Sequence, residues 1–265
     1  MGDFMKIVVV GSGSSGNTTL IMGRSANIII DAGISHRSYK LKLDSLGIND
    51  VNIDGLFITH EHGDHTKYLH SHLKKMTSPF YINERSYLSL NPAIYNNVKT
   101  FNHKFINPFG KVKINDLEIE AIPLSHDTVE CLGFIIREDD KMLVYIADTG
   151  YLDSEYRGIL TGADCYLFEA NHDPVMEMNS NRDQYLKNRV LGDEGHLSNE
   201  DCAVNLSYLI TDKTKSVCFL HRSRECNTID LIKDTVFKVF EDFSIDVSNI
   251  NFYYAEQDYP TLIEV

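Results

Sequence analysis

One heptapeptide constrains this chain more than any other feature: Thr59-His60-Glu61-His62-Gly63-Asp64-His65. Gly55-Leu56-Phe57-Ile58 before it reads as a short buried strand, so the heptapeptide leaves that strand's C-terminal end. Three imidazoles and two carboxylates within six residues form a donor set, not a packing set. Such donors suit Zn²⁺, Mn²⁺ or Fe, and no thiolate stands among them. While the backbone stays extended, His60 and His62 point one way and Glu61 the other. The turn that follows brings Asp64 and His65 to a second ion. Two ions roughly 3.5–4 Å apart can hold a shared hydroxide and clamp both oxygens of a displacement.

The heptapeptide alone supplies too few donors for two sites, and the chain offers more wherever a strand ends. Leu117 to Ile122 leads to Ser125-His126-Asp127, and Met142 to Ala147 leads to Asp148. Cys165 to Phe168 leads to Glu169, and Val217 to Leu220 to His221. That recurrence argues for one shared site. Metal one takes His60, His62 and His126, metal two takes Asp64, His65 and His221, and Asp148 bridges them. A bridging solvent molecule, its pKa lowered by two cations, is the nucleophile. Asp31 is either an acceptor for a ligating imidazole or a carboxylate in a strand-end turn. His196 precedes a helix N-terminus and either binds a phosphate oxygen, protonates the leaving alkoxide, or orders its loop. Ser198 reads as the cap of that helix, with Asp201 at N3, and not as a nucleophile. Ser125 and Ser223 flank ligand histidines as phosphate contacts or as turn residues.

The segments between these points predict alternating strands and helices. Lys6 to Val10 is a strand, followed by Gly11-Ser12-Gly13-Ser14-Ser15-Gly16-Asn17. This loop contains GxGxxG, but two further strands follow it instead of a helix, which excludes a dinucleotide fold. Its glycines let backbone pass close to the metal site. Helices are expected over 35–46, stopped by Gly47, and over 67–76, where His70 and His72 are partly exposed and not ligands. A short helix is expected from Glu84 to Leu90, before Pro92, and the segment 96–108 has little periodicity. The last helix begins near Asn227 with a core stripe of Ile229, Ile232, Val236, Val239, Phe240 and Phe243, and 250–254 closes as a strand. Strands with intervening helices occur twice, broadly before and after residue 120. Two packed mixed sheets, helices outside and metals at one edge, are the expected architecture, in one domain spanning 1–265.

Composition narrows the class. The chain has 265 residues, 43% of them hydrophobic, and no run able to span a bilayer. No secretory signal opens it, and five cysteines without ligand-like spacing read as reduced thiols, so a cytoplasmic location is expected. A formal charge of −13 argues against indiscriminate adhesion to nucleic acid. Bound cations would reverse the local field, so a nucleic-acid substrate is still allowed. No basic stripe or RNA-binding repeat supports a non-catalytic binding protein, and a structural metal site would be closed. Self-association is compatible with the sequence, though no interface is legible in it.

Taken together, these motifs resemble the metallo-β-lactamase superfamily, and within it the YycJ/WalJ branch. The resemblance runs from Gly11-Ser12-Gly13-Ser14-Ser15-Gly16-Asn17 and Asp31-Ala32-Gly33 through Thr59 to His65, Ser125-His126-Asp127 and Ala147-Asp148-Thr149-Gly150. It continues in Glu169-Ala170-Asn171-His172-Asp173 and Gly195-His196-Leu197-Ser198-Asn199-Glu200-Asp201. It implies an α/β fold, the αβ/βα four-layer sandwich with two central mixed sheets. It implies the same seven ligands, catalytic roles for His196, Asp64 and Asp148, and supporting roles for Glu169 and His172. It also implies two divalent ions, Mn²⁺ or Zn²⁺ with Fe as an alternative, and a 5′→3′ exonuclease acting on double-stranded DNA. Hydrolysis of a cyclic nucleotide is the second reading, and of a thioester or lactam the third. Two departures stand out: Gly63 replaces a serine common in the family, and His221-Arg222-Ser223-Arg224 replaces His-Leu-Ser. Arg222 and Arg224 are therefore either phosphate contacts or rim charges.

Overall fold

The computed structural model describes residues 5–265; the first four residues of the expected 1–265 domain lie outside them. The first sheet contains β1 (Lys6–Gly11), β2 (Thr18–Met22), β3 (Asn27–Ile30), β4 (Gly55–Phe57), β5 (Phe80–Ile82) and β6 (His103–Phe105). The second contains β7 (Lys111–Ile114), β8 (Leu117–Leu124), β9 (Cys131–Glu138), β10 (Lys141–Ile146), β11 (Cys165–Glu169), β12 (Ser216–Leu220) and β13 (Asn251–Tyr254). A last strand, β14 (Thr261–Glu264), returns to the first sheet and pairs antiparallel with β1. Both sheets are mixed. In the first, β1 to β3 are antiparallel and β3 to β6 parallel. In the second, β7 to β10 are antiparallel and β10 to β13 parallel.

Strand alternation builds four layers. In β1, Ile7 and Val9 face the second sheet, while Val8 and Val10 face helices, so the strand is apolar on both faces. Between the sheets lie Ile21, Ile28, Phe57, Leu132, Phe134, Tyr145 and Leu167, with Phe57 and Phe134 edge-to-face at 5.7 Å. Outside the first sheet sit α1 (His36–Ser45), α2 (Gly63–Thr66), α3 (Leu69–Leu73), α4 (Glu84–Leu88) and α5 (Pro92–Val98). Outside the second come α6 (Arg157–Leu160), α7 (Pro174–Asn179), α8 (Gln184–Leu191), α9 (Asn199–Leu209) and α10 (Ile229–Asp242). The expected two-sheet sandwich is the observed one. All five cysteines are buried and unbridged. Among the described residues, no helix is long and apolar enough to cross a membrane.

Several local expectations need correction. The helix expected over 67–76 is two short ones, and the first already starts at Gly63, inside the heptapeptide. The helix expected before Pro92 is there as α4 but ends at Leu88, and Pro92 opens a further helix, α5, because a first-turn proline has no bond to lose. The aperiodic 96–108 segment contains the end of α5 and all of β6. In α10 the cap is Thr228, and Phe243 falls outside the helix, 42% exposed, edge-on to Tyr208. The crossover between sheets comes before residue 111, not near 120.

His72, expected at the surface, is fully buried and donates from Nε2 to the Ile34 carbonyl at 2.8 Å. Burial pushes its pKa down to about 4, with the Ile34 hydrogen bond opposing only in part. The unfolded chain therefore takes up this proton first as pH falls through the ordinary histidine range. The neutral ring's contribution is complete above about pH 6.5 and is lost toward about pH 4, roughly 3 kcal/mol in all. In urea titrations, the stability gap between the wild type and His72→Gln should narrow by about that amount over this window. Parallel curves for the two proteins would contradict it.

Candidate active site

The site lies where β3, β4, β8, β10, β11 and β12 end. Three strand-end residues, Asp31, Asp148 and His221, have left-handed φ of 61°, 55° and 53°. Non-glycine residues enter that region rarely, and here it redirects the chain as each strand stops. His60, His62 and His126 crowd together, with ring centroids 4.7 to 5.2 Å apart. As the alternation required, Glu61 turns away, and its Oε1 accepts from the Val129 N–H. The first turn of α2 then delivers Asp64 and His65. A Cβ at Gly63 would meet nothing within 4 Å, so sterics do not demand glycine there.

The imidazoles are oriented by their outer nitrogens. His65 Nδ1 stands 2.7 Å from Asp31 Oδ2, and Asp31 Oδ1 accepts from the Thr59 N–H. His126 Nδ1 donates to the Gly195 carbonyl at 3.0 Å, and His60 Nδ1 meets Thr59 Oγ1 at 2.9 Å. Each of these contacts turns Nε2 inward. Asp148, 2% exposed, reaches both halves: Oδ2 is 3.7 Å from His60, 3.9 Å from His126 and 2.9 Å from His65. Its Oδ1 lies 3.0 Å from His221 Nδ1, out of line for a hydrogen bond. Burial raises the Asp148 pKa, but the adjoining His221 and His65 outweigh it and hold the carboxyl well below the usual range.

Two groups of donors could each hold an ion: His60, His62 and His126, and Asp64, His65, Asp148 and His221. The buried atoms His60 Nε2, His221 Nε2 and Asp148 Oδ1 have no hydrogen-bond partner. Orphaned polar atoms at this depth are costly, and divalent cations would satisfy all three. The donor set therefore fits two metals. A third grouping, Asp148, Glu169, His196 and His221, also comes within reach of one point. Glu169 and His196 are already committed to each other, however. Glu169 Oε1 meets His196 Nδ1 at 2.7 Å, and Oε2 accepts from the Thr149 N–H at 2.8 Å. Burial raises the Glu169 pKa, yet His196 and the hydrogen bonds from His196 and His221 bring it down to about 2. His196 Nε2 forms no hydrogen bond within the described residues, and its ring lies 5.1 Å from those of His126 and His221.

Other expected contributors are differently employed. Ser125 donates its hydroxyl to the Asp193 carbonyl, 68 residues along the chain, so this contact is neither a turn bond nor a free phosphate donor. His172 is buried outside the three donor groups, where its segment bridges to Ser198. Arg224 is exposed and paired with Asp258 at 2.6 Å. Ser198 caps α9, accepting from the Asp201 N–H at 3.0 Å. Two asparagines that the sequence reading passed over are central. Asn17 Nδ2 lies 3.0 Å from His65 Nε2 and 3.4 Å from Asp64 Oδ2. Asn171 Nδ2 donates to the His221 carbonyl at 2.7 Å. Asp127, beside His62 and His126, ties down Arg189 of α8 over the site.

The glycine loop does approach the site, through Asn17 N–H to the Asp64 carbonyl at 2.8 Å and Gly33 N–H to the Asn17 carbonyl at 2.9 Å. A Cβ on Gly33 would fall 1.6 Å from that same Asp64 oxygen and 2.5 Å from Asn17 N. Both are backbone atoms and cannot rotate aside. Gly33→Ala should therefore cost at least about 3 kcal/mol and push the first turn of α2, with Asp64, away from the glycine loop. An unchanged urea midpoint together with unchanged metal content would contradict this.

The described fold is that of a known family. The model for the beta-lactamase superfamily domain matches residues 26–221. The chain belongs to the metallo-β-lactamase superfamily. Within it, the chain is 35% identical over 237 residues to exodeoxyribonuclease YycJ of Bacillus anthracis, covering 88% of each. It is 33% identical over 232 residues to exodeoxyribonuclease WalJ of Streptococcus pneumoniae, covering 87% of this chain and 86% of that one. It thus falls in the YycJ/WalJ-like branch of this hydrolase superfamily. Unliganded yeast PDE1 shares the fold at a TM-score of 0.74 and 13% identity, over 99% of this chain and 100% of that one.

Proposed function

We propose that the protein is a two-metal phosphodiesterase that degrades double-stranded DNA from the 5′ end, with residues 1–265 acting as one hydrolase domain. The observation that carries this reading is a histidine held beside the metal donors without being one of them. His60, His62 and His126 would hold one ion, Asp64, His65 and His221 the other, with Asp148 shared. Divalent ions there supply Lewis acidity toward water and toward the phosphoryl group. The remaining chemistry falls to side chains. Glu169 accepts from His196 Nδ1, which fixes the ring and leaves Nε2 to carry a proton toward substrate. From Nε2 that proton can stabilise a non-bridging oxygen or pass to the departing 3′-alkoxide. Asn17 and Asn171 fix the second donor set, and Asp31 fixes His65.

DNA is favoured as substrate because both curated relatives are named exodeoxyribonucleases. The test is a time course on end-labelled duplex DNA, single-stranded DNA and a cyclic-nucleotide panel, with Mn²⁺ and with Zn²⁺. Duplex DNA should shorten from its 5′ end at the highest rate. Rapid opening of cyclic nucleotides with neither DNA attacked would overturn the choice of substrate.

A further inference from the structure

Behind His221 lies a cavity of 220 Å³ that the metal chemistry does not use. It is walled by the glycine loop, by the segment after His221 and by the turn before β14. Three arginines and three carboxylates line it, and the pairs among them leave Arg222 and Glu256 unmatched among the described residues. Arg182 is occupied by Glu177 at 2.8 Å and Glu225 at 2.9 Å, and Arg224 by Asp258. Arg222 has no ion pair and no hydrogen bond among the described residues, and its buried Nε lacks any partner. Ser12 and Ser223, each 6% exposed, act only as acceptors: Ser12 Oγ from the His221 N–H at 2.8 Å, Ser223 Oγ from the Cys226 N–H at 3.1 Å and Arg182 at 3.4 Å. Both hydroxyl protons are therefore left to give. One guanidinium and two buried hydroxyls, all without acceptors, converge on one cavity, and what they lack is an anion with several oxygens.

We propose that this cavity is a phosphate-monoester subsite, which seats the 5′-terminal phosphate of a DNA strand while the next phosphodiester lies at the metals. The inference rests on the nuclease reading above and adds to it the group that makes cleavage start at an end. The volume is below the ~300–1,000 Å³ of pockets that enclose drug-sized ligands, so it admits a terminal phosphate with its sugar but no continuing duplex. Glu256 also lines it and offers an acceptor for a nucleobase or sugar donor, which inorganic phosphate lacks. Through Ser12, the subsite is one hydrogen bond from the His221 backbone, so occupancy and the metal centre share a wall. Arginine suits the task because its fork meets two phosphate oxygens at once, which lysine cannot do.

Two measurements on the metal-loaded protein test this. The first compares cleavage of duplexes identical except for a 5′-phosphate or a 5′-hydroxyl. The second is a calorimetric titration with thymidine 5′-monophosphate, with thymidine as the control. The wild type should prefer the 5′-phosphate by at least about tenfold, and Arg222→Gln should bring that ratio near one and weaken nucleotide binding about ten- to a hundredfold. Metal content should be unchanged, and Arg222→Lys should recover part of both effects. Equal wild-type rates on the two duplexes, with nucleotide affinity indifferent to Arg222→Gln, would overturn the subsite. If Arg222→Gln slows both duplexes equally, the cavity takes an internal phosphate and the terminal assignment fails. If no DNA is cut while nucleotide affinity still depends on Arg222, the subsite stands and the nuclease reading falls.

Discussion

Asp148→Asn should lose at least one metal and nearly all hydrolysis while still folding. Among the described residues, Asp148 is the one carboxylate whose oxygens approach both donor groups, within 3.9 Å of His60, His65 and His126 and 3.0 Å of His221. The amide keeps the shape and removes the charge. A unit charge 4 Å from a cation is worth about 4 kcal/mol at the effective dielectric of a protein site, or roughly 10³-fold in affinity. The loss is counted at two ions. Metal analysis after gel filtration should show fewer than two ions per chain, and turnover at saturating Mn²⁺ should fall by about 10³-fold or more. The amide keeps the side chain's volume and gives up only the attraction to His65 and His221, so the circular dichroism spectrum should match wild type even though the metal-free fold is somewhat less stable. Full metal content with full turnover would rule out a bridging role.

His196→Ala should give the opposite pattern: both metals retained and turnover cut by about 10²–10⁴-fold. The ring belongs to neither of the two donor groups, though it lies 5.1 Å from the rings of His126 and His221, and its Nδ1 is held by Glu169 at 2.7 Å. Glu169→Gln should show a smaller defect of the same kind, because the amide can present its amino group to Nδ1 and favour the wrong ring orientation. A leaving-group test separates the two roles open to Nε2. On a p-nitrophenyl phosphodiester the departing phenolate needs no proton, so a proton-donor deficit should shrink toward wild type. A deficit of the same size on both substrates indicates charge stabilisation at a non-bridging oxygen instead. Wild-type rates in His196→Ala on every substrate cleaved would remove the residue from the mechanism.

The donor residues were legible because each follows a short apolar run, and a polar residue at such a place has little structural reason to be there. The two-sheet architecture was legible from the same runs. What escaped has physical causes. The inward turn of Asp31, Asp148 and His221 depends on a left-handed backbone, which Asp and His enter more readily than most residues but which their presence alone does not dictate. Asn17 and Asn171 act through side-chain amides on partners 47 to 50 residues away, contacts that exist only once the strands of each sheet have paired. β14 was missed because it pairs with β1 from the other end of the chain, and a four-residue strand carries little pattern of its own. His72 looked solvated because two histidines in a short helix suggest a polar face, whereas Tyr39 and His36 close over it. Four of the helices around the site are four to eight residues long, too short for periodicity to register.

The most direct test is anomalous diffraction from crystals grown with Mn²⁺, recorded on either side of the manganese edge. Two peaks roughly 3.5–4 Å apart are expected, one among His60, His62 and His126 and the other among Asp64, His65 and His221, with Asp148 in reach of both. His196 should stay on Glu169, outside either coordination sphere. A single ion, or an ion seated among Asp148, Glu169, His196 and His221, would contradict the division of labour between metal donors and proton donor.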